Sequence, residues 1–184
     1  MKRRRLAFIT VLVLLAMGPG VYWGWRIWLE QSQDVPIRSA ARRYDVEPAL
    51  VKAIVWRESR FHPRIRGRAG EIGLMQIREE AAREWADAEH VGGFQHEHCF
   101  DPGTNTFAGT WYLKKLLKRY AYTDDPLPYA LADYNAGRGN VLKWLAGPGA
   151  TNSQAFAVQI GFPSTKAYVR SVTNRYARYR PVFR

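Results

Sequence analysis

Within the stretch AIVWRESRF, Ala53 to Phe61, a glutamate falls in line with the most apolar side of a predicted helix. A helix advances about 100° per residue, so Leu50, Val51, Ile54 and Val55 share one face, with Glu58 one turn on from Ile54 and two from Val51. An ionised carboxylate taken out of water is costly unless paired, and the common escape is a raised pKa that keeps the proton on near neutrality. A protonated acid in a cleft can donate that proton to a leaving group. Periodicity alone leaves a second reading open. Pro63 follows closely, helix ends often rotate away from the core, and a glutamate there can equally be solvated or salt-bridged.

Other chemistry-bearing residues gather in HVGGFQHEHCF, where His90, His96, His98 and Cys99 are zinc-type ligands. Their spacing fits no known structural site, so the expectation is no metal and no cofactor. Cys99 is the single cysteine; an intramolecular disulfide is impossible and stability must come from packing.

The elements that would position Glu58 read as helices. A first helix is predicted over Arg38 to Tyr44. Glu47-Pro48 then opens the helix that carries the acid, proline being suited to a first turn. FHPRIRGRAGEIGLMQI, Phe61 to Ile77, is marked as irregular backbone by Pro63, Gly67, Gly70 and Gly73. Helices are expected next from about Glu79 to Glu89, and from Thr106 to Tyr120 after a connection over His90 to Asn105. Asp124-Asp125-Pro126 caps another that runs to Tyr134 and stops around Gly137; a short one follows at Gly139 to Leu145. Ser164 is expected to cap a last helix, Thr165 to Arg178, which turns Tyr168, Val172 and Tyr176 inward. No stretch sustains strand alternation, and the fold class is mostly α.

At 184 residues, 47% hydrophobic and 14% aromatic, the chain can bury one sizeable core. A net charge of +12 implies attraction to a polyanion without saying which. Part of that charge is local. Lys2, Arg3, Arg4 and Arg5 precede an apolar run from Leu6 to Met17, and Val21, Tyr22, Trp23 and Trp25 extend it past Gly18-Pro19-Gly20 as an interfacial aromatic belt. Residues 1–29 thus read as a signal-anchor or signal segment, 30–36 as a tether, and 37–184 as the folded domain. Positive-inside logic puts that domain outside the cytoplasm, held at the inner membrane or released by cleavage. The arginines form no recognisable nucleic-acid reading motif, so no nucleic-acid partner is expected.

Five ordered blocks, WRESRFHP, AGEIGLMQI, DPGTNTFAGTWYLKKLL, ALADYNAGRGNVLKW and FPSTKAYVRSV, resemble the catalytic domain of soluble-type lytic transglycosylases, related to goose-type lysozyme. The resemblance spans about Ala49 to Val172. It implies a lysozyme-like helical domain with an active-site cleft, and cleavage of the β-1,4 bond between N-acetylmuramic acid and N-acetylglucosamine in peptidoglycan with a 1,6-anhydro product. Glu58 matches the family's single acid/base. Tyr134 matches a tyrosine beside the catalytic group and Asn135 its polar neighbour, while Met75 and Gln76 match residues lining the saccharide groove. Ser59 follows the acid and secures the helix end, Asn105 matches a capping position, Tyr168 closes the core near the cleft, and Gly73 permits the backbone that presents Met75 and Gln76. Without the resemblance, Tyr134 and Met75 read equally as core and Ser59 as a solvated serine.

Three positions depart from the family pattern. Gly67 stands where a serine is usual, Ser164 where a glutamate is usual, and Glu71 where alanine is common. Glu71 either pairs with Arg66 or Arg68 on the surface, or positions a sugar hydroxyl or water and shifts the outcome toward hydrolysis. Three functions follow: an anchored lytic transglycosylase acting on glycan strands, in general wall turnover or beside a secretion machine; a hydrolytic muramidase; and a catalytically weak peptidoglycan-binding module.

Overall fold

The structure, a computed structural model, describes residues 18–184; the apolar run Leu6 to Met17 lies outside the described residues. Among the described residues no helix is long and apolar enough to cross a membrane. The regular structure of the described residues is helical, their only β pairing being two isolated antiparallel bridges, Arg66 to Ile72 and Ile72 to Ile77.

Residues 18–32 form α1, and α2 (Asp34–Tyr44) follows after a single turn residue. The expected tether is therefore helical. Its residues are fastened by a buried lysine: Lys52, 5% exposed, pairs with Asp34 at 2.6 Å and lies 3.9 Å from Glu30. Burying an ammonium requires such acids, so residues 30–36 belong to the packed structure and α2 starts four residues before the predicted helix.

α3 (Pro48–Ser59) is the central element. Pro48 occupies its first turn, where the missing N–H costs nothing. Every residue from Ala49 to Val55 is buried, as expected of a helix packed on all sides. Arg60 and Phe61, with φ of 53° and 68°, end it in the left-handed region and throw the chain into the irregular segment.

The remaining helices are α4 (Glu79–Ala88), α5 (Pro102–Arg119), α6 (Pro126–Ala136), α7 (Arg138–Trp144), α8 (Ser153–Gln159) and α9 (Pro163–Tyr179). α5 begins four residues before its predicted start. Asp101 caps it by accepting from the Thr104 N–H at 2.8 Å, and Pro102 takes the first turn. α8, absent from the sequence prediction, is capped by Asn152, whose Oδ1 accepts from the Ala155 N–H at 2.8 Å. Ser164 does not cap α9: the helix starts at Pro163, its N-cap Phe162 has no side-chain cap, and Ser164 is exposed in the first turn. Tyr168 and Val172 do turn inward, whereas Tyr176 is only half-buried.

Two apolar clusters result. The larger gathers α3, α5, α6 and α9 around Ile54, Leu113, Leu131 and Val172. The smaller gathers Ile72, Ile77, Trp85, Cys99 and Ala108 beneath the irregular segment and α4. A cleft opens where the two meet.

Candidate active site

The cleft, about 420 Å³, is lined by Glu58 from α3, by Glu71, Gln76 and Arg78, by Tyr112 of α5 and by Asp133 to Gly137 at the end of α6. Glu58 is half-buried on its floor. The Tyr168 hydroxyl donates to Glu58 Oε1 at 2.6 Å. Burial raises the Glu58 pKa from an ordinary 4.5 to about 7; the Tyr168 hydrogen bond and the nearby Arg57 charge work against that rise, and the Glu71 charge adds to it. Desolvation wins because a hydrogen bond from a neutral phenol and one partly screened guanidinium replace only part of the lost hydration. Near neutral pH the group exists in both protonation states, the condition for donating a proton in one step and accepting one in the next.

Tyr134 lines the cleft with Glu58 as expected, but the hydroxyl that holds the carboxyl is that of Tyr168. The Tyr134 hydroxyl donates to the Met75 carbonyl oxygen at 2.8 Å. Tyr134 remains a cleft wall, its ring 5.8 Å from that of Tyr112. Burial, followed by the Glu58 charge, raises the pKa of both phenols well above 10, so both persist as donors. Asn135 lines the cleft, and its Oδ1 accepts from the Thr165 hydroxyl at 2.9 Å.

Met75 is not a groove residue. It is fully buried, with Sδ 3.8 Å from the Thr110 hydroxyl, and a Cβ on Gly109 would lie 2.5 Å from that sulfur. The thioether fills the space that Gly109 leaves, as core methionines do. Gln76 does line the cleft, yet its amide nitrogen is committed to the Ile65 and Gly73 carbonyls at 3.2 and 2.9 Å. Ser59 is buried, donates to the Val55 carbonyl at 3.1 Å and lies outside the cleft lining, so its place is securing the helix end.

Asn105 is structural, but not a cap. It lies in the first turns of α5, fully buried. Its Oδ1 accepts from the Met75 N–H at 2.7 Å, and its Nδ2 donates to the Ile72 and Cys99 carbonyls at 2.9 and 2.8 Å. One amide thus ties the irregular segment to the helix beneath it. Gly73, at φ 79°, has no room for a side chain there, since a Cβ would collide with the Asn105 amide and the Cys99 carbonyl.

Glu71 pairs with neither Arg66 nor Arg68. Arg66 goes to Glu97, while Glu71 accepts from Arg78 at 3.3 Å and from the Ala69 N–H at 3.0 Å, on the wall of the cleft. Gly67 explains its position: a Cβ on residue 67 would collide with the Glu71 carboxylate and lie 2.8 Å from Gln76 Oε1. The absent side chain at 67 and the added carboxylate at 71 are one exchange of volume.

The candidate metal residues are occupied separately. His96 Nε2 lies 3.0 Å from the Ile77 carbonyl, His98 Nδ1 accepts from the Gln95 N–H at 3.3 Å, Cys99 is buried and His90 is exposed. Among the described residues no three His, Cys, Asp or Glu side chains converge.

Arg78, Tyr112 and Asp133 join the cleft without having been singled out by sequence reasoning. Asp133 is buried behind Tyr134, its Oδ2 taking Arg119 at 2.6 Å and the Tyr120 hydroxyl at 2.7 Å. An acid inside the apolar run YALADY is the available signal, the same one that marks Glu58.

A family profile described as "Transglycosylase SLT domain" matches residues 35–157. The chain is 29% identical over 163 residues to the soluble lytic murein transglycosylase of Escherichia coli K12, covering 84% of this chain and 25% of that protein. It is 36% identical over 113 residues to membrane-bound lytic murein transglycosylase C of Klebsiella pneumoniae, covering 58% and 31%. The chain spans only about a quarter to a third of the length of these relatives. Among solved structures, the 70-kDa soluble lytic transglycosylase of Escherichia coli superposes with a TM-score of 0.69 at 29% identity, over 78% of this chain and 24% of the other. A 70-kDa soluble lytic transglycosylase in complex with bulgecin A superposes with a TM-score of 0.72 at 27% identity, over 96% and 29%.

Proposed function

The chain belongs to the SLT-domain lytic transglycosylases, and from that premise we propose that it cleaves the β-1,4 bond between N-acetylmuramic acid and N-acetylglucosamine in peptidoglycan, leaving 1,6-anhydro ends. The observation that carries the reading is Glu58 on the cleft floor, poised to titrate near pH 7 and held by Tyr168. Protonated Glu58 gives its proton to the glycosidic oxygen as the bond from that oxygen to the anomeric carbon breaks. The resulting carboxylate takes the proton of the muramoyl 6-hydroxyl as its oxygen bonds to the same carbon. One proton leaves and one returns, no water is consumed, and the substrate's own acetamido group stabilises the intermediate. No metal or cofactor enters the scheme. Tyr168 fixes one carboxyl oxygen and leaves the other for the sugar. Asn135, Tyr112, Tyr134 and Arg78 form the walls that hold the strand.

Glu71 favours a second reading. A carboxylate in the same cleft, in the space that a side chain at 67 would fill, can orient a water onto the anomeric carbon and turn the reaction toward hydrolysis. Digestion of purified sacculi with the wild type and Glu58→Gln, read by mass spectrometry, decides between the two. Anhydro ends lost in Glu58→Gln support transglycosylation, reducing ends support water attack, and binding without product in either protein supports a non-catalytic module. We place the domain in the cell envelope beyond the inner membrane, with residues 1–29 as its anchor or export signal.

A further inference from the structure

The face shared by α1, the end of α3 and α9 carries two features that lie outside the cleft lining. One is a gathering of guanidinium groups. Those of Arg60 and Arg175 lie 3.5 and 3.8 Å from the centroid of the Trp56 ring, which they share. Arg57 stands 5.3 Å from the Tyr168 ring. Burial first, then repulsion from Arg175, Arg57 and Arg26, lower the Arg60 pKa, so those three charges lie within reach of Arg60. Ion pairs among the described residues draw on other arginines; none of these four is in a salt bridge, and only Arg57 stands near an acid, Glu58.

The other is α1 itself. Tyr22, Trp23, Trp25 and Trp28 are 52, 65, 44 and 63% exposed, with Val21 and Ile27 exposed among them. The helix is nevertheless fixed to the domain: Leu29 is buried in the main core, Glu30 faces Lys52, and the Trp25 ring lies 5.6 Å from that of His62. Rings and guanidinium groups are therefore held in one relation to each other.

Clustered like charges call for an anion, and a helix that exposes several indoles calls for an apolar boundary. The headgroup region of an anionic bilayer supplies both, since Trp and Tyr rings settle at that depth and guanidinium groups bind lipid phosphates. In the sequence, α1 directly follows the apolar run Leu6 to Met17; on the reading of residues 1–29 as an anchor or export signal, on which this inference rests, that run brings lipid to this face rather than to another. We propose that Arg26, Arg57, Arg60 and Arg175, with the exposed rings of α1, dock the domain onto anionic phospholipid headgroups and so set the orientation of the cleft to the bilayer.

The test uses the full chain in vesicles of phosphatidylcholine alone or mixed with phosphatidylglycerol. Because the apolar run can insert into either lipid, the readout is position and not partition. A fluorophore is placed at Ser171→Cys, one turn before Arg175 on α9, or at exposed Glu80→Cys on α4 as reference, and quenched by lipids bearing a nitroxide on the headgroup. Cys99 is buried, with its thiol pushed up to about 12, and does not compete for label. Docking gives strong quenching at 171 and weak quenching at 80 in the mixed vesicles, lost in phosphatidylcholine alone and at high salt. The double variant Arg60→Gln/Arg175→Gln lowers the docked-to-undocked ratio roughly 30-fold. Arg60→Lys/Arg175→Lys keeps the charge and most of the docking, which separates lost charge from lost folding. Equal quenching at the two positions, or quenching at 171 indifferent to lipid charge, overturns the proposal. So does protection of the 171 label by purified glycan strands with no response to vesicles. The readout is independent of turnover and stands apart from the reaction proposed above.

Discussion

Replacing Glu58 by Gln should stabilise the fold, by an amount that grows as pH rises from 4.5 to about 7 and then levels off. The folded-state pKa is raised from 4.5 to about 7, so the folded chain holds a proton that the unfolded chain releases. Stability from this group is fully present below pH 4.5 and is lost as pH rises through 7. A tenfold change in a proton-binding constant is worth about 1.4 kcal/mol, so the ionised carboxylate costs the fold about 3 kcal/mol at pH 8 and above. An amide of the same shape does not titrate and can still accept from Tyr168. The difference between variant and wild type should be near zero at pH 4.5 and grow to about 3 kcal/mol by pH 8 to 9, about 6 to 12 °C in Tm for a domain of this size. Urea unfolding of both proteins by circular dichroism across that range measures it, and other titrating groups cancel in the difference. A gap that does not change with pH, or one that shrinks as pH rises, would refute the burial reasoning and with it the acid's poised state.

Activity on sacculi should fall as pH rises above about 7, because proton donation needs the acid form. Tyr168→Phe removes a hydrogen bond that favours the carboxylate, so this alkaline limb should move up by about one pH unit while kcat drops; an unmoved limb would mean that the phenol does not hold the acid. Glu71→Gln removes a like charge and should move the same limb down, with the ratio of reducing to anhydro ends reporting any water-directing role. Asn105→Ala strands the Met75 N–H and two carbonyls in the interior and should cost about 4 kcal/mol in urea unfolding; a loss below about 1 kcal/mol would show that the segment holds itself together.

The features legible in the residues alone are those that local chemistry dictates. The helix carrying Glu58 is one, because Pro48 and an unbroken apolar run specify it, and the acid stands out because a carboxylate in that run has no cheap place to go. The mostly α class and the irregular segment around Gly67 to Gly73 are others. Helix starts at Asp101-Pro102 and Asn152 differ from expectation even though their capping signals are local. Which distant groups meet is a different matter, settled by packing. Tyr168 lies 110 residues from Glu58, and nothing local distinguishes its hydroxyl from that of Tyr134. Met75 leaves the groove because Gly109, on another helix, opens a hole its sulfur fills. Glu71 turns to Arg78 and the cleft because Gly67 vacates the space. A side chain's type and face are properties of its own helix, but its partner is set by elements far apart in the chain, where volume and hydrogen-bonding capacity must be satisfied at once.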